Sequence, residues 1–142
     1  MTTVKQILDT KGYAVWSIHP QASVLAAIEQ MAEKEVGALV VLEDDALVGI
    51  ISERDYARKV ILKGRLAHET AVRDIMTPDV ICVHLDQSIE ECMTTVTERR
   101  IRHLPVLDSG QLVGMISIGD LVKTIIAEQQ FIIDQLAHYI SG

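Results

Sequence analysis

The sequence predicts an α/β (α+β) protein built from two copies of a β-α-β-β-α unit, packed sheet to sheet with pseudo-twofold symmetry. Three observations predict it: a self-match at an offset of 65 residues, paired β-branched runs joined by turn residues, and helical apolar stripes flanking each pair. Val36–Asp55 aligned with Ile101–Asp120 is identical at nine of twenty positions: Leu39, Val41, Leu42, Leu47, Val48, Gly49, Ile51, Ser52 and Asp55. Average residue usage predicts roughly one or two such matches. A repeat of this strength fixes the architecture before any local pattern does.

The elements of the first copy follow in order. "VKQIL" reads as a single helical turn and "YAVWSI" as a short extended piece. "ASVLAAIEQMAEK" puts Val24, Ala27, Ile28 and Met31 on one stripe of helical period, with Ser23 as N-cap. "ALVVLE" and "LVGIIS" make a hairpin through the acidic turn "DDA", and "ERDYARKVILKG" is a second helix with a basic last turn and Gly64 behind it.

The second copy repeats the order, with "VRDIM", "DVICV", the helix "SIEECMTTVTERR", a hairpin through Asp-Ser-Gly, and the helix opened by "IGDLVKTIIAEQQ". The expected divisions are residues 1–64 for the first repeat, 65–71 for a linker, 72–128 for the second repeat and 129–142 for an amphipathic helical tail. In that tail Phe131, Ile132, Leu136, Tyr139 and Ile140 form an apolar stripe with nothing left in the chain to cover it, which points to a homodimer.

Composition narrows the function. With 142 residues, 49% of them apolar, the chain can bury a core without a disulfide or metal staple. A net charge of −7 argues against a general nucleic-acid or anionic-membrane surface, so an anionic ligand must meet a local basic cluster. The two cysteines, Cys82 and Cys92, form no C-x-x-C pair and fit a reducing, cytoplasmic setting. No apolar run has the length of a signal peptide core or a membrane span. His19, His68, His84 and His138 show no metal-ligand spacing, and there is no P-loop, G-x-G-x-x-G or G-x-S-x-G, so neither a metal site nor an enzyme is expected.

What remains is the duplicated Ser-x-x-Asp, Ser52 with Asp55 and Ser117 with Asp120. Such a pair at a helix mouth is a variant capping box. A carboxylate there also suits the vicinal hydroxyls of a sugar, because its two oxygens accept two hydrogen bonds, and a helix N-terminus attracts phosphate. Both readings stand. Arg54, Arg102 and His103 are the candidates to complete a phosphate site, against the alternative of a solvated charged face. Arg99 and Arg100 close a helix and read as structural. Trp16 is placed either to stack on a base or to pack in the core, and Lys11-Gly12 either to approach a ligand or to end a helix.

With "VGALVVLEDDALVGIISERD" and "IRHLPVLDSGQLVGMISIGD" duplicated over nearly the whole chain, the sequence resembles the cystathionine-β-synthase (CBS) domain pair, or Bateman module, in its stand-alone form. The resemblance implies a non-catalytic regulatory sensor that binds an adenine nucleotide in clefts between the repeats and associates as a flat dimer. AMP leads, followed by ATP, ADP and NAD(H). It implies a ribose grip at Ser52, Asp55, Ser117 and Asp120. The implied adenine walls are Lys11, Gly12, Tyr13, Trp16, Gly37 and Ala38 for the Asp120 cleft, and Thr77, Val80 and Ile81 with Arg102 and His103 for the Asp55 cleft. Gly37-Ala38 stands where the other copy has Arg102-His103, and Arg54 where it has Gly119, so the two clefts are expected to differ. The alternative is a protein-interaction module that binds no small molecule and recruits a protein target through the tail.

Overall fold

Thr3, Ser23, Ser52 and Ser88 each accept a backbone hydrogen bond from the first turn of a helix. Each satisfies an N–H that the helix itself cannot. The computed structural model describes residues 2–141; Met1 and Gly142, the ends of the expected first repeat and of the tail, lie outside the described residues.

The order is α1 (Val4–Lys11), β1 (Ser17–Ile18), α2 (Val24–Lys34), β2 (Ala38–Glu43), β3 (Ala46–Ser52), α3 (Glu53–Tyr56), α4 (Val72–Ile75), β4 (Val83–His84), α5 (Ile89–Arg99), β5 (His103–Asp108), β6 (Gln111–Ser117) and α6 (Ile118–Ser141). The helix expected from Glu53 to Gly64 is interrupted: after α3 the chain continues as a π-helical stretch, Ala57–Ile61. Two three-stranded sheets form, β1-β2-β3 and β4-β5-β6, each with a parallel first pair and an antiparallel second pair. Both hairpins turn through two left-handed residues, Asp44-Asp45 and Ser109-Gly110, as two-residue hairpin loops require.

The chain divides into two compact units. One is Ala14–Ile81, and the other joins the chain up to Tyr13 with the chain from Cys82 onward. In the first, Val24, Ala27 and Met31 of α2 pack with Leu39, Val41 and Ile51 of the sheet, with Val60, and with Val72 and Ile75 of α4. In the second, Val4, Ile7 and Leu8 of α1 are buried, as are Val83, Ile89, Cys92, Val96, Leu104, Val106, Ile116 and Leu121.

Each lead-in helix thus sits in the unit of the repeat it does not precede in sequence. The docking is the same in both. The N–H groups of Val72 and Arg73 donate to Ala22 and Pro20 carbonyls, and that of Val24 to Thr70; those of Val4 and Lys5 donate to Gln87 and Leu85, and that of Ile89 to Thr2. Glycine on the middle of the last strand makes room. A Cβ on Gly114 would lie 2.7 Å from Leu8 Cδ1, and one on Gly49 would lie 2.5 Å from Met76 Sδ.

The lead-in helices differ in length for a reason visible in sequence. Pro78 forces Thr77 out of helical geometry, so α4 ends early and Thr77 exchanges both backbone hydrogen bonds with Ile50 (2.9 and 3.0 Å). No proline follows α1, which runs two turns to Lys11 and stops at Gly12, where φ is +110°.

Candidate functional site

The two Ser-x-x-Asp segments start α3 and α6 at the ends of β3 and β6. Ser52 Oγ accepts from Asp55 N–H (3.2 Å), and Asp55 Oδ2 accepts from Ser52 N–H (2.9 Å) and Ser52 Oγ (3.1 Å). Ser117 Oγ accepts from Asp120 N–H (3.2 Å), and Asp120 Oδ2 accepts from Ser117 N–H (2.8 Å). The capping reading therefore holds for both copies, and the aspartates as well as the serines take part. A cap that uses one carboxylate oxygen fixes where the other points, so capping and ligand contact are compatible on one side chain.

Each carboxylate also meets a lysine that is bound to a backbone carbonyl. Lys11 Nζ lies 2.6 Å from Asp120 Oδ2 and 2.7 Å from the Met115 carbonyl. Lys59 Nζ lies 3.2 Å from Asp55 Oδ1 and 2.9 Å from the Ile75 carbonyl. The sources differ: Lys59 is one turn beyond Asp55 on the same stretch of chain, whereas Lys11 comes from the end of α1. Ile50, the repeat partner of Met115, gives its carbonyl to the Thr77 N–H instead. A main-chain bridge in one unit is thus replaced by an ammonium in the other. Lys59 was missed in the sequence, although its i,i+4 spacing from Asp55 is the signal that finds it.

Electrostatics follow from this geometry. Burial pushes the Asp120 carboxyl upward, but the hydrogen bonds from Lys11 and Ser117 N–H and the charge of Lys11 outweigh it, and the net shift is downward. His103 is shifted down, first by burial and then by Lys11, with Arg102 adding to the effect and Asp120 opposing it. The shift reduces the positive charge that His103 carries at neutral pH.

The remaining sequence-predicted residues fall into two groups. His103 pairs with Ser117 across the sheet, and the Arg102 carbonyl accepts from Ile118 N–H (2.9 Å), so this pair shares a unit with Asp120 and Lys11. Ala38 pairs with Ser52, and the Gly37 carbonyl accepts from Glu53 N–H (3.1 Å), so that pair shares a unit with Asp55 and Arg54. Thr77 lies on the edge of β3 in this same unit, followed by the half-buried Val80 and Ile81. Gly12 and Tyr13 follow Lys11, and the exposed Tyr13 hydroxyl donates to Asp9 Oδ1 (2.5 Å). Trp16, 38% exposed, carries the Lys34 ammonium 4.4 Å from its ring centroid, so it is a surface aromatic rather than a core residue. Among the described residues no cluster of His, Cys, Asp and Glu could hold a metal ion. Burial raises both thiols, Cys92 to about 11 with help from Glu91, which leaves them un-ionised at neutral pH.

The family model for the CBS domain matches residues 4–62 and again 72–127. The chain belongs to the CBS domain family. As a CBS domain pair it is a regulatory module. It is 38% identical to the CBS domain-containing protein CBSX3, mitochondrial, of Arabidopsis thaliana, over 99% of this chain and 73% of that protein. A solved structure of a protein with CBS domains from Burkholderia ambifaria MC40-6 is 51% identical, with a TM-score of 0.87, covering 90% of this chain and 96% of that one. The CBS domain pair of protein MJ0100, solved with 5′-methylthioadenosine and S-adenosyl-L-methionine, shares the fold at a TM-score of 0.80 and 24% identity, covering 90% and 98% of the two chains.

Proposed function

We propose that this CBS pair is a sensor that binds an adenine nucleotide through Asp55 or Asp120, with AMP favoured over ATP, ADP and NAD(H), and that it acts by changing conformation rather than by catalysis. The observation that carries this reading is the duplicated carboxylate at a helix start, where each aspartate is locked by its own serine N–H and meets a lysine ammonium. That arrangement offers acceptors for a ribose diol next to an ammonium that can meet an anion. The adenosine-containing molecules bound to MJ0100 support the chemical class, and only the class is carried over. The ligand would shift the conformational equilibrium by no more than its difference in affinity for the two states.

Thermal denaturation with AMP, ADP, ATP and NADH tests the reading. At one hundred times the dissociation constant a bound nucleotide adds about 2.7 kcal/mol of stability. A melting temperature that none of the four raises refutes it.

A second reading, a protein-interaction module, rests on α6. Towards its C-terminal half its apolar side chains are exposed, with Phe131, Ile132, Ile133 and Leu136 each more than half accessible and Tyr139 and Ile140 above four-fifths. A second copy of the chain is the occupant we favour, because a stripe of this extent costs too much to leave in water. Truncation before Gln129 separates the readings: a monomer that still binds nucleotide assigns α6 to assembly alone. A cytoplasmic setting belongs to the same proposal, resting on two unpaired thiols; among the described residues no helix is long and apolar enough to cross a membrane.

A further inference from the structure

The carboxylate that the sensor reading assigns to a ribose already holds an ammonium in one of the two units. Lys11 Nζ is 2.6 Å from Asp120 Oδ2, on the oxygen that also accepts the Ser117 N–H. Lys11 is the last residue of α1, followed by Gly12 in a conformation that favours glycine. The start of α1 is fixed by the buried Val4, Ile7 and Leu8 and by backbone bonds to Gln87 and Leu85. Lys11 itself is partly exposed, so its ammonium can move while the buried residues keep the helix docked. At Asp55 the lysine comes from nearby instead: Lys59 sits one turn on and reaches the other oxygen at the longer distance of 3.2 Å.

We propose that Lys11 is a built-in competitor and charge reader for the Asp120 site, making that site selective for phosphorylated over uncharged adenosine ligands. This rests on the sensor reading. A diol that takes both Asp120 oxygens must displace the Lys11 ammonium from Oδ2, the oxygen that the Ser117 N–H also holds. An uncharged nucleoside gives that ammonium no new partner, so the lost ion pair counts in full against binding. A 5′-phosphate does give it one, and lysine serves phosphate well as a mobile point charge. Selectivity then arises from the penalty on the wrong ligand as much as from attraction to the right one. Arg102 adds positive charge near His103, while the charge of His103 itself is reduced by burial and by Lys11. The Asp55 site, whose lysine need not leave, discriminates less.

The test is calorimetric titration with AMP and with adenosine on the wild type, Lys11→Gln and Lys11→Arg, with Asp120→Asn to locate the site. Lys11→Gln is expected to tighten adenosine, weaken AMP and lower the ratio of their affinities by about tenfold or more. Lys11→Arg, which keeps the charge, is expected to preserve the ratio and shows that a changed ratio is not a folding defect. A ratio that stays within about threefold in Lys11→Gln while AMP binding still depends on Asp120 overturns this proposal alone. Failure of both ligands to bind the wild type overturns the sensor reading, and this inference with it.

Discussion

The ammonium of Lys11 and the carboxylate of Asp120 meet at 2.6 Å across 109 residues of chain. The contact joins the end of α1 to the start of α6 and, through the Met115 carbonyl, to β6. It ties the lead-in helix of the first repeat to the candidate site of the second.

Loss of that charge is expected to cost little at neutral pH and nothing in acid. The Asp120 carboxyl is pushed up by burial and pulled further down by Lys11 and Ser117 N–H, ending below its ordinary value of 3.8. The folded protein therefore binds fewer protons than the unfolded chain near that pH, so the contribution is complete above about pH 5 and fades as pH falls through the folded value. Asp120→Asn should lower stability by at most about 1 kcal/mol at pH 7, given its partial exposure. Urea titrations at pH 7 and pH 3 should show the gap between wild type and variant narrow at the lower pH.

His103 gives a second pH signature with the same sign. Its pKa is lowered from 6.5, so below that value the unfolded chain takes up a proton that the folded one resists. Stability is full above pH 6.5 and declines as pH falls toward the folded value. The charges facing the ring are Lys11 and Arg102, which oppose protonation, and Asp120, which favours it. His103→Gln should remove part of the slope between pH 6.5 and 5, measured by melting temperature against pH.

Gly114 is required by packing. A methyl group there meets the two Leu8 methyls at 2.7 and 2.9 Å, and Leu8 is fully buried. Gly114→Ala should cost about 1–3 kcal/mol through overpacking. Combined with Leu8→Ala, which opens space at the contact, the two losses should sum to more than the double variant shows; strict additivity in chemical denaturation would contradict the contact.

Glu35 ends α2 in the left-handed region at φ 55°, a conformation that costs an L-residue about 1–2 kcal/mol. Glycine removes that cost and gives back part of it in unfolded-chain entropy. Glu35→Gly is expected to raise stability by about 0.5 kcal/mol, and a drop in melting temperature would show that the Glu35 side chain contributes more than its backbone costs.

Much of this was legible in sequence because it is local or repeated. The hairpin turns, the serine caps and the helical stripes of α2 and α5 depend on residues a few positions apart, and the duplication at Leu39–Asp55 and Leu104–Asp120 exposed the architecture. The CBS resemblance followed from the same segments. The exchange of α1 and α4 between units was not legible in periodicity, because "VKQIL" and "VRDIM" carry similar apolar faces. The family resemblance put Lys11 beside Asp120, but the ion pair between them, across 109 residues, leaves no spacing to read. The break of the helix after Tyr56 into a π-helical stretch has no glycine or proline to announce it. For Ser-x-x-Asp, the sequence offered cap and ligand as two readings, and the geometry shows a cap that leaves the ligand role to be tested.

Calorimetric titration of AMP into the wild type, Asp55→Ala and Asp120→Ala tests the central claim most directly. Saturable binding to the wild type and its loss in at least one variant are expected, with unequal effects because Lys11 and His103 lie beside Asp120. Absence of binding by a cooperatively folded wild type, or binding unchanged in both variants, would contradict it.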